Sequence, residues 1–558
     1  MHNRQLIHPL HQEGMDLYAG RWVAIVHEQV VGQGGTPEQA RLAAQASRPK
    51  EIPQVVYVHP LNPLEFPPIL HEVADALPSG LPIYLVGGAV RDALLRRKIH
   101  DLDFILPGSA VKISRQIADR LGAAFFPLDD EHDTGRVILI SEDGSHFTLD
   151  FAARRGDDLE SDLRARDFTL NALAVDVRQP QAVLDPLGGA ADLLAKQLRP
   201  CSPTSLSDDP IRIVRAIRQA AMFGFHIPPE TRKLMRAAAP LLPSISPERM
   251  RDELFRLLDG PRAAASIRAL DMLGALVYVL PEMETLKGVE QSAPHLDDVW
   301  NHTLNVVQKL ETVLAALAPT YNPDKASSLS LGMMMMQLGR YRQQLGEHLN
   351  EQLNNDRPLR PLLFLAALYH DIGKPETRTL DSGGKYHFYG HEESGAKIVE
   401  KRAASLRLSN LEIERVRLIV GGHLRPLLLE LDGTLPTRRA VYRFFREVGV
   451  AGVDVCILAL ADFLGSYGTT FPQDKWAHHL EVIRCLLEAW WEHPHEQVTP
   501  PVLVNGYDLM KGLHISPGPQ VGKLLEAVRE AQAVGQVSTR EEALELAKKL
   551  LTRNWTDI

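Results

Sequence analysis

The spacing of apolar positions changes along the chain. Up to about residue 200, short apolar runs alternate with amphipathic stretches; beyond it, apolar positions recur almost entirely at helical spacing. GRWVAIV and VVGQGG read as a strand pair, TPEQARLAAQAS as a capped amphipathic helix and PQVVYVH as another strand. These fall in residues 1–75, a small β-rich accessory module without a catalytic cluster, structural or docking in character. Between 76 and 200 strands and helices alternate, with YLV, RVILI and HFTLDFAA as strands, the pattern of an α/β head. Residues 201–260 turn helical, and in ISPERMRDELFRLL Ser246 caps a helix whose first residue is Pro247. Near the end Asn505-Gly506 marks a turn and Pro517-Gly518-Pro519 opens a long helix. The predicted class is α+β: a small N-terminal β-rich module, an α/β head, then all-α domains.

Composition narrows this. At 558 residues the chain exceeds a single core, and 45% apolar with 23% charged residues describes a globular protein. No run of about twenty uncharged apolar residues is evident, and MHNRQLIHPLHQEG has no apolar signal core, so no membrane is expected and the cytoplasm is the predicted compartment. Cys201, Cys456 and Cys485 are widely separated, which argues against a zinc ribbon. The formal charge of -9 does not mark a nucleic-acid binder, yet phosphate binding depends on local charge. Residues 211–240 carry six basic side chains against Glu230 alone.

The chemistry starts at YLVGGAVRDALLRRKIHDLDF, residues 84–104. A β-prone segment runs into Gly87-Gly88, where missing side chains let backbone N–H groups approach a phosphate, and a helix from Ala89 to Arg97 follows. A second strand carries Asp101 and Asp103, whose alternation points both carboxylates to one face. Two such carboxylates repel unless a cation sits between them, and Mg²⁺ is the expected one.

Val-Gly-Gly, twelve residues, then Asp-Leu-Asp-Phe, with Gly-Gly-Ala-Val-Arg-Asp around the turn, resembles the polymerase β-like nucleotidyltransferases. Within them the chain is similar to the bacterial-type CCA-adding tRNA nucleotidyltransferases and poly(A) polymerases. The resemblance implies a nucleotidyltransferase palm at 76–200 and a helical nucleotide- and RNA-binding neck at 201–283. Asp101 and Asp103 are the implied catalytic carboxylates, with Asp150 a third acidic group. LRARDFTLNALAVD matches the family's block contacting triphosphate and ribose through Arg166, Asp167 and Asn171, with Ala165 replacing an arginine. Gly87, Gly88 and Arg91 join them as nucleotide ligands. Asp185, Gly188, Gly189 and Asp192 continue the match as a structural turn. SDDPIRIVR corresponds to the family's base-selecting stretch, with Asp208 in place of Glu; Asp209 and Arg212 would meet the Watson–Crick edge of C or A, supported by Arg215.

A second set of residues follows from about 284: His302, adjacent His370 and Asp371, His391, His423 and Asp462. In that order they resemble the HD superfamily of metal-dependent phosphohydrolases, here spanning 284–495. His302, His370, Asp371 and Asp462 are the defining ligands, and His391 and His423 are placed for a second metal. Imidazole and carboxylate together suit Mn, Ni, Co, Fe or Zn, with Mg²⁺ the alternative. Met333 to Met336 read as core filler. Residues 496–558 resemble the family's terminal helical segment, an expected tRNA contact.

The resemblance implies addition of CCA to the 3′ end of tRNA from CTP and ATP, with Mg²⁺ at the palm and a phosphodiesterase or phosphatase activity at the HD site. The alternatives are a poly(A) polymerase, an enzyme adding only CC or only A, or a chain that is mainly a phosphohydrolase of cyclic or 2′-phosphates. No obligate protein partner is implied.

Overall fold

In the computed structural model, residues 18–27, 29–58, 63–78, 80–129, 133–141, 144–322, 328–354, 357–430, 433–467 and 471–552 are described. The chain forms two compact units, Met1–Leu241 and Leu242–Ile558.

The first unit opens with a three-stranded antiparallel sheet of order β2-β1-β3, made of β1 (Arg21–Val26), β2 (Gln29–Gly34) and β3 (Gln54–Val58). The helix Pro37–Ser47 lies on it, capped by the Thr36 hydroxyl, which accepts from Gln39 N. Val23 and Ala24 of β1 and Ala40 and Ala44 of the helix are buried, because alternation in the strand and the i, i+4 spacing of the helix aim them at each other.

The head is a seven-stranded mixed sheet of β4 (Tyr84–Val86), β5 (Asp101–Leu106), β6 (Ala124–Asp129), β7 (Thr134–Ile140), β8 (His146–Ala153), β9 (Ala174–Asp176) and β10 (Gln179–Leu184), in the order β10-β9-β4-β5-β8-β7-β6. β5 and β8 run parallel at its centre, and the other neighbours are antiparallel. Leu102, Phe104, Leu149 and Phe151 are buried, and Phe104 stacks on Phe151 with ring centroids 4.7 Å apart. One face of β5 therefore forms the core while Asp101 and Asp103 occupy the other. After Gly87 the helix is Gly88–Leu94, shorter than the expected Ala89–Arg97, because Leu95 caps it and Arg96 turns to φ +54°. Three helices follow within 205–238; in the second unit, Ser246 caps the helix Pro247–Leu258 by accepting from Arg249 N.

The second unit is largely helical, with one two-stranded hairpin, Thr379–Leu380 with Tyr386–His387, among the described residues. Helices Val299–Ala316, Leu359–Tyr369, His391–Ser405, Asn410–Gly422 and Gly452–Ser466 surround its core. The stretch Arg438–Ser466 has the length and apolar composition of a membrane span, but 78% of its most apolar window is buried inside the fold, so it packs as core. Met334 is fully buried whereas Met336 is 89% exposed, so the methionine run is core filler on one helical face only. Asn505 does not mark a turn. It caps the helix Gly506–Leu513 through a capping box with Asp508, and Pro519 opens the helix Pro519–Ala533. These two helices and Arg540–Thr552 close over their own core of Leu509, Leu524, Val528 and Ala543.

Candidate functional site

The first site is built on the centre of the head sheet. Strand register sets Arg136, Asp150, Asp103 and Val86 side by side across β7, β8, β5 and β4. Gly87 follows Val86 at φ +74° and ψ -130°, and a Cβ there would stand 3.5 Å from Asp103 Oδ2 and 3.3 Å from Arg166 Nη1. Gly87→Ala is therefore expected to destabilise the head by about 1–3 kcal/mol, the cost of holding a side chain in that backbone region, read from urea unfolding.

Beside the turn lies a cavity of about 350 Å³, lined by Gly87, Gly88, Arg91, Asp101, Asp103, Arg166, Asp167, Asn171, Arg215 and Arg218 among others. Its cations are held from behind. Arg91 grips Asp92 with two hydrogen bonds of 2.9 Å and donates from Nη1 to Asn171 Oδ1 at 2.7 Å. Asn171 Nδ2 donates to Asp167 Oδ1 and Gln219 Oε1, while Asp167 Oδ2 pairs with Arg215 at 2.8 Å. Arg166 Nε donates to the buried Asp162 at 3.2 Å. Arg91 and Arg97 both lie over the Phe223 ring, at 4.5 and 4.9 Å, tying the head to the helix Arg212–Phe223.

Burial raises the pKa of Asp103; Arg166 and Arg215 pull it down, while Asp150 and Asp101 push it up. A half-buried carboxylate crowded by two others is relieved by a cation, so Asp101 and Asp103 fit a divalent ion with oxygen ligands. Asp150 is placed differently from its two neighbours: Arg136 clasps both its oxygens at 2.8 Å. Asp209 and Arg212 do not line the cavity. The Arg212 guanidinium donates to the carbonyls of Ala165 and Arg166 and to Ser205 Oγ, with Asp209 3.7 Å from its Nε.

The second site is a buried histidine cluster. His302 projects from the helix Val299–Ala316, and His370 and Asp371 follow the end of Leu359–Tyr369. His391 starts one helix and His423 caps another, while Asp462 lies on Gly452–Ser466. Asp371 joins two groups. Its Oδ2 lies 3.5 Å from His302 Nε2 and 3.2 Å from His370 Nε2, and its Oδ1 lies 3.3 Å from His391 Nε2 and 3.8 Å from His423 Nε2. Asp462 Oδ1 stands 3.1 Å from His302 Nε2.

Backbone carbonyls three residues back accept from the Nδ1 atoms of His370, His391 and His423, at 2.7–2.8 Å, which leaves each Nε2 lone pair aimed into the cluster. Two triads, His302 with His370 and Asp371, and Asp371 with His391 and His423, bring their ligand atoms within 4.8 Å of one another. This donor set fits two divalent ions sharing Asp371.

Sequence reasoning passed over several neighbours. Lys374 is buried, 2.6 Å from both Asp371 Oδ2 and Gln291 Oε1; its i+3 position relative to Asp371 was the available signal. The His295 ring sits 4.6 Å from His302, and Arg136 reaches Asp150 only through the β7–β8 register, so no local motif marks either.

Burial depresses His423, with repulsion from His370 and His391, and depresses His295, each to about 3. Both stay neutral in the fold but titrate near 6.5 when unfolded, so below that pH the unfolded chain binds more protons. His370 runs the other way: Asp371 outweighs its burial and raises it. With two imidazoles against one, chelator-treated protein is expected to melt at a lower temperature at pH 5 than at pH 7. His423→Gln should shallow that slope in a melting series.

Family models match in chain order: the Poly A polymerase head domain over 83–199, a polymerase A segment described as an RNA and SrmB-binding site over 224–287, the HD domain over 336–463 and a tRNA nucleotidyltransferase domain 2 over 498–547. The chain is 34% identical to an A-adding tRNA nucleotidyltransferase of Deinococcus radiodurans, over 82% of this chain and 93% of that protein. It is 33% identical to a CC-adding tRNA nucleotidyltransferase of Geobacter sulfurreducens over 85% and 93%. A Multifunctional CCA protein of Pseudomonas aeruginosa is 32% identical over 67% and 84%. A solved CCA-adding enzyme, 21% identical, shares the fold with a TM-score of 0.53 over 88% of this chain and 94% of its own. On this similarity, which runs through the head, the neck and the histidine-bearing unit alike, the chain belongs to the CCA-adding and poly(A) polymerase family of nucleotidyltransferases that carry an HD domain.

Proposed function

We propose that this protein adds nucleotides to the 3′ end of tRNA, building CCA from CTP and ATP without a nucleic-acid template. The observation that carries the reading is the placement of Asp101 and Asp103 in one cavity with the Gly87-Gly88 turn and the cations Arg91, Arg166, Arg215 and Arg218. Gly88, Arg91 and Arg166 hold the triphosphate, and the Asp92, Asn171 and Asp162 contacts keep two of those guanidinia aimed. Asp101 and Asp103 would hold the metals, and Asp150, paired with Arg136, is the third acid of the same strand row. Bound Mg²⁺ would supply Lewis acidity toward the primer hydroxyl and the pyrophosphate leaving group. The rest is positioning and charge neutralisation.

Asp209 and Arg212 keep the base-reading role, which requires the Arg212 guanidinium to exchange its carbonyl partners for the base; Arg218 and Gln219 present further polar edges in the cavity. The HD cluster is a separate metal-dependent phosphoesterase acting on cyclic or 2′-phosphates at RNA ends. Its cleft of about 340 Å³ opens between Asp371, His391, His423 and Lys374 and the aromatic wall of Tyr386, Phe388 and Tyr389.

A second reading, addition of CC alone, is supported by the 33% identity to the CC-adding Geobacter enzyme; the Deinococcus relative, 34% identical, is A-adding. Incubation of tRNA transcripts ending before CCA, after C or after CC, with CTP, ATP or both, decides the matter by product length. Completion of CCA from both nucleotides is expected. Arrest at CC with ATP present overturns it in favour of the second reading, and long tails from ATP alone make the protein a poly(A) polymerase.

A further inference from the structure

The N-terminal sheet and helix precede the 83–199 match to the head-domain family, yet they are bonded to the segment behind the cavity. Trp22 Nε1 donates to Val183 O at 3.0 Å and Gln39 Nε2 donates to Pro186 O at 2.9 Å. Asp185 N donates to Gly35 O at 2.7 Å, and Gly35 fits so closely that a Cβ would collide with the Asp185 carbonyl. Three points, Val183 at the end of β10 and Asp185 and Pro186 in the loop after it, are thus held from the module.

The same loop leads to the cavity wall. The Asp185 carboxylate accepts from Gly189 N and Ala190 N at 2.7 and 3.0 Å, fixing the start of the helix Gly189–Leu194. Gly189 packs against the Thr169 carbonyl, and Asp192 accepts from Thr169 Oγ1 at 2.5 Å. Two residues on, Asn171 holds Arg91, Asp167 and Gln219, all of which line the cavity.

We propose that residues 21–58 brace the 167–171 segment through residues 183–192, which run from the end of β10 into the helix Gly189–Leu194, and so set the affinity of the cavity for nucleoside triphosphate. Trp22, Gly35 and Gln39 are positioning residues; none touches the cavity. The affinity half rests on the nucleotidyltransferase reading given above, whereas the mechanical half does not.

The test is the double variant Trp22→Phe, Gln39→Met in the full chain, which removes the two side-chain hydrogen bonds to Val183 and Pro186, together with the one that Gln39 accepts from Gly35 N within the module, and leaves the buried Val23, Ala24, Ala40 and Ala44 in place. KM for CTP and ATP is expected to rise about five- to tenfold, the loss of one to two net hydrogen bonds, with kcat within about twofold. Amide exchange over 167–192 should quicken without nucleotide present, and exchange in the HD unit should not change. A lowered melting temperature with unchanged KM and unchanged exchange at 167–192 makes the module a mere stabiliser and overturns the proposal. Should the double variant fail to fold, Gln39→Met alone is read by the same two measurements, with a smaller rise expected and the same overturning result. Quickened exchange in a chain that adds no nucleotide would support the brace while sinking the polymerising function alone.

Discussion

Asp103→Asn is expected to lower nucleotide addition about a thousandfold, the scale of losing a principal electrostatic group at a phosphoryl-transfer site. The geometry explains why this carboxylate outranks its neighbours. Asp103 lies on the row between Val86 and Asp150 and faces the Gly87 turn, and burial raises its pKa. A neutral amide of the same shape removes the charge without moving β5, so the melting temperature should hold or rise slightly as repulsion from Asp101 and Asp150 disappears. Single-turnover extension of tRNA with CTP measures the loss, and phosphoesterase activity of the same preparation serves as the internal control. Retention of more than a tenth of the wild-type rate would remove Asp103 from the metal-binding role.

The two carboxylates of β5 were legible in the sequence because strand alternation fixes their common face and the Gly-Gly turn sits at a fixed distance before them. The third acid was legible as an Asp at the right place, but its ion pair was not. Arg136 faces Asp150 only after two strands adopt their register, and nothing within either strand encodes that match. Arg212 shows the opposite limit. Arg212, Arg215 and Arg218 recur at intervals of three, a spacing that puts them on roughly one helical face, yet Arg212 starts that helix and turns its guanidinium back to the carbonyls of 165 and 166, while Arg215 and Arg218 reach the cavity. Helical periodicity assigns a face; which members of that face find an acceptor nearby depends on the partner loop. The accessory module illustrates the same point at longer range. Its strands and capped helix were readable from local pattern, whereas its docking on the end of β10 and the loop after it depends on a tryptophan and a glycine whose partners lie far along the chain.

Asp371→Asn is expected to abolish metal-dependent phosphoesterase activity, by about a thousandfold or more, and to leave nucleotide addition within about twofold. Asp371 is the residue shared by both triads, so a single change disturbs both ligand groups, whereas His370→Ala empties one. Attraction from His370 and Lys374 outweighs burial and holds the Asp371 carboxyl well below the usual carboxylate range, so it is charged and ready for a metal at any physiological pH. An amide in its place leaves buried Lys374 without its 2.6 Å counter-ion, and removing one partner of a buried pair costs about 3–5 kcal/mol. Bound-metal analysis separates the two consequences: His370→Ala should still retain metal at the His391 and His423 side, while Asp371→Asn should lose it at both. Joint loss of nucleotide addition in a folded Asp371→Asn protein would contradict two independent sites, since Asp101 and Asp103 belong to a different compact unit from Asp371.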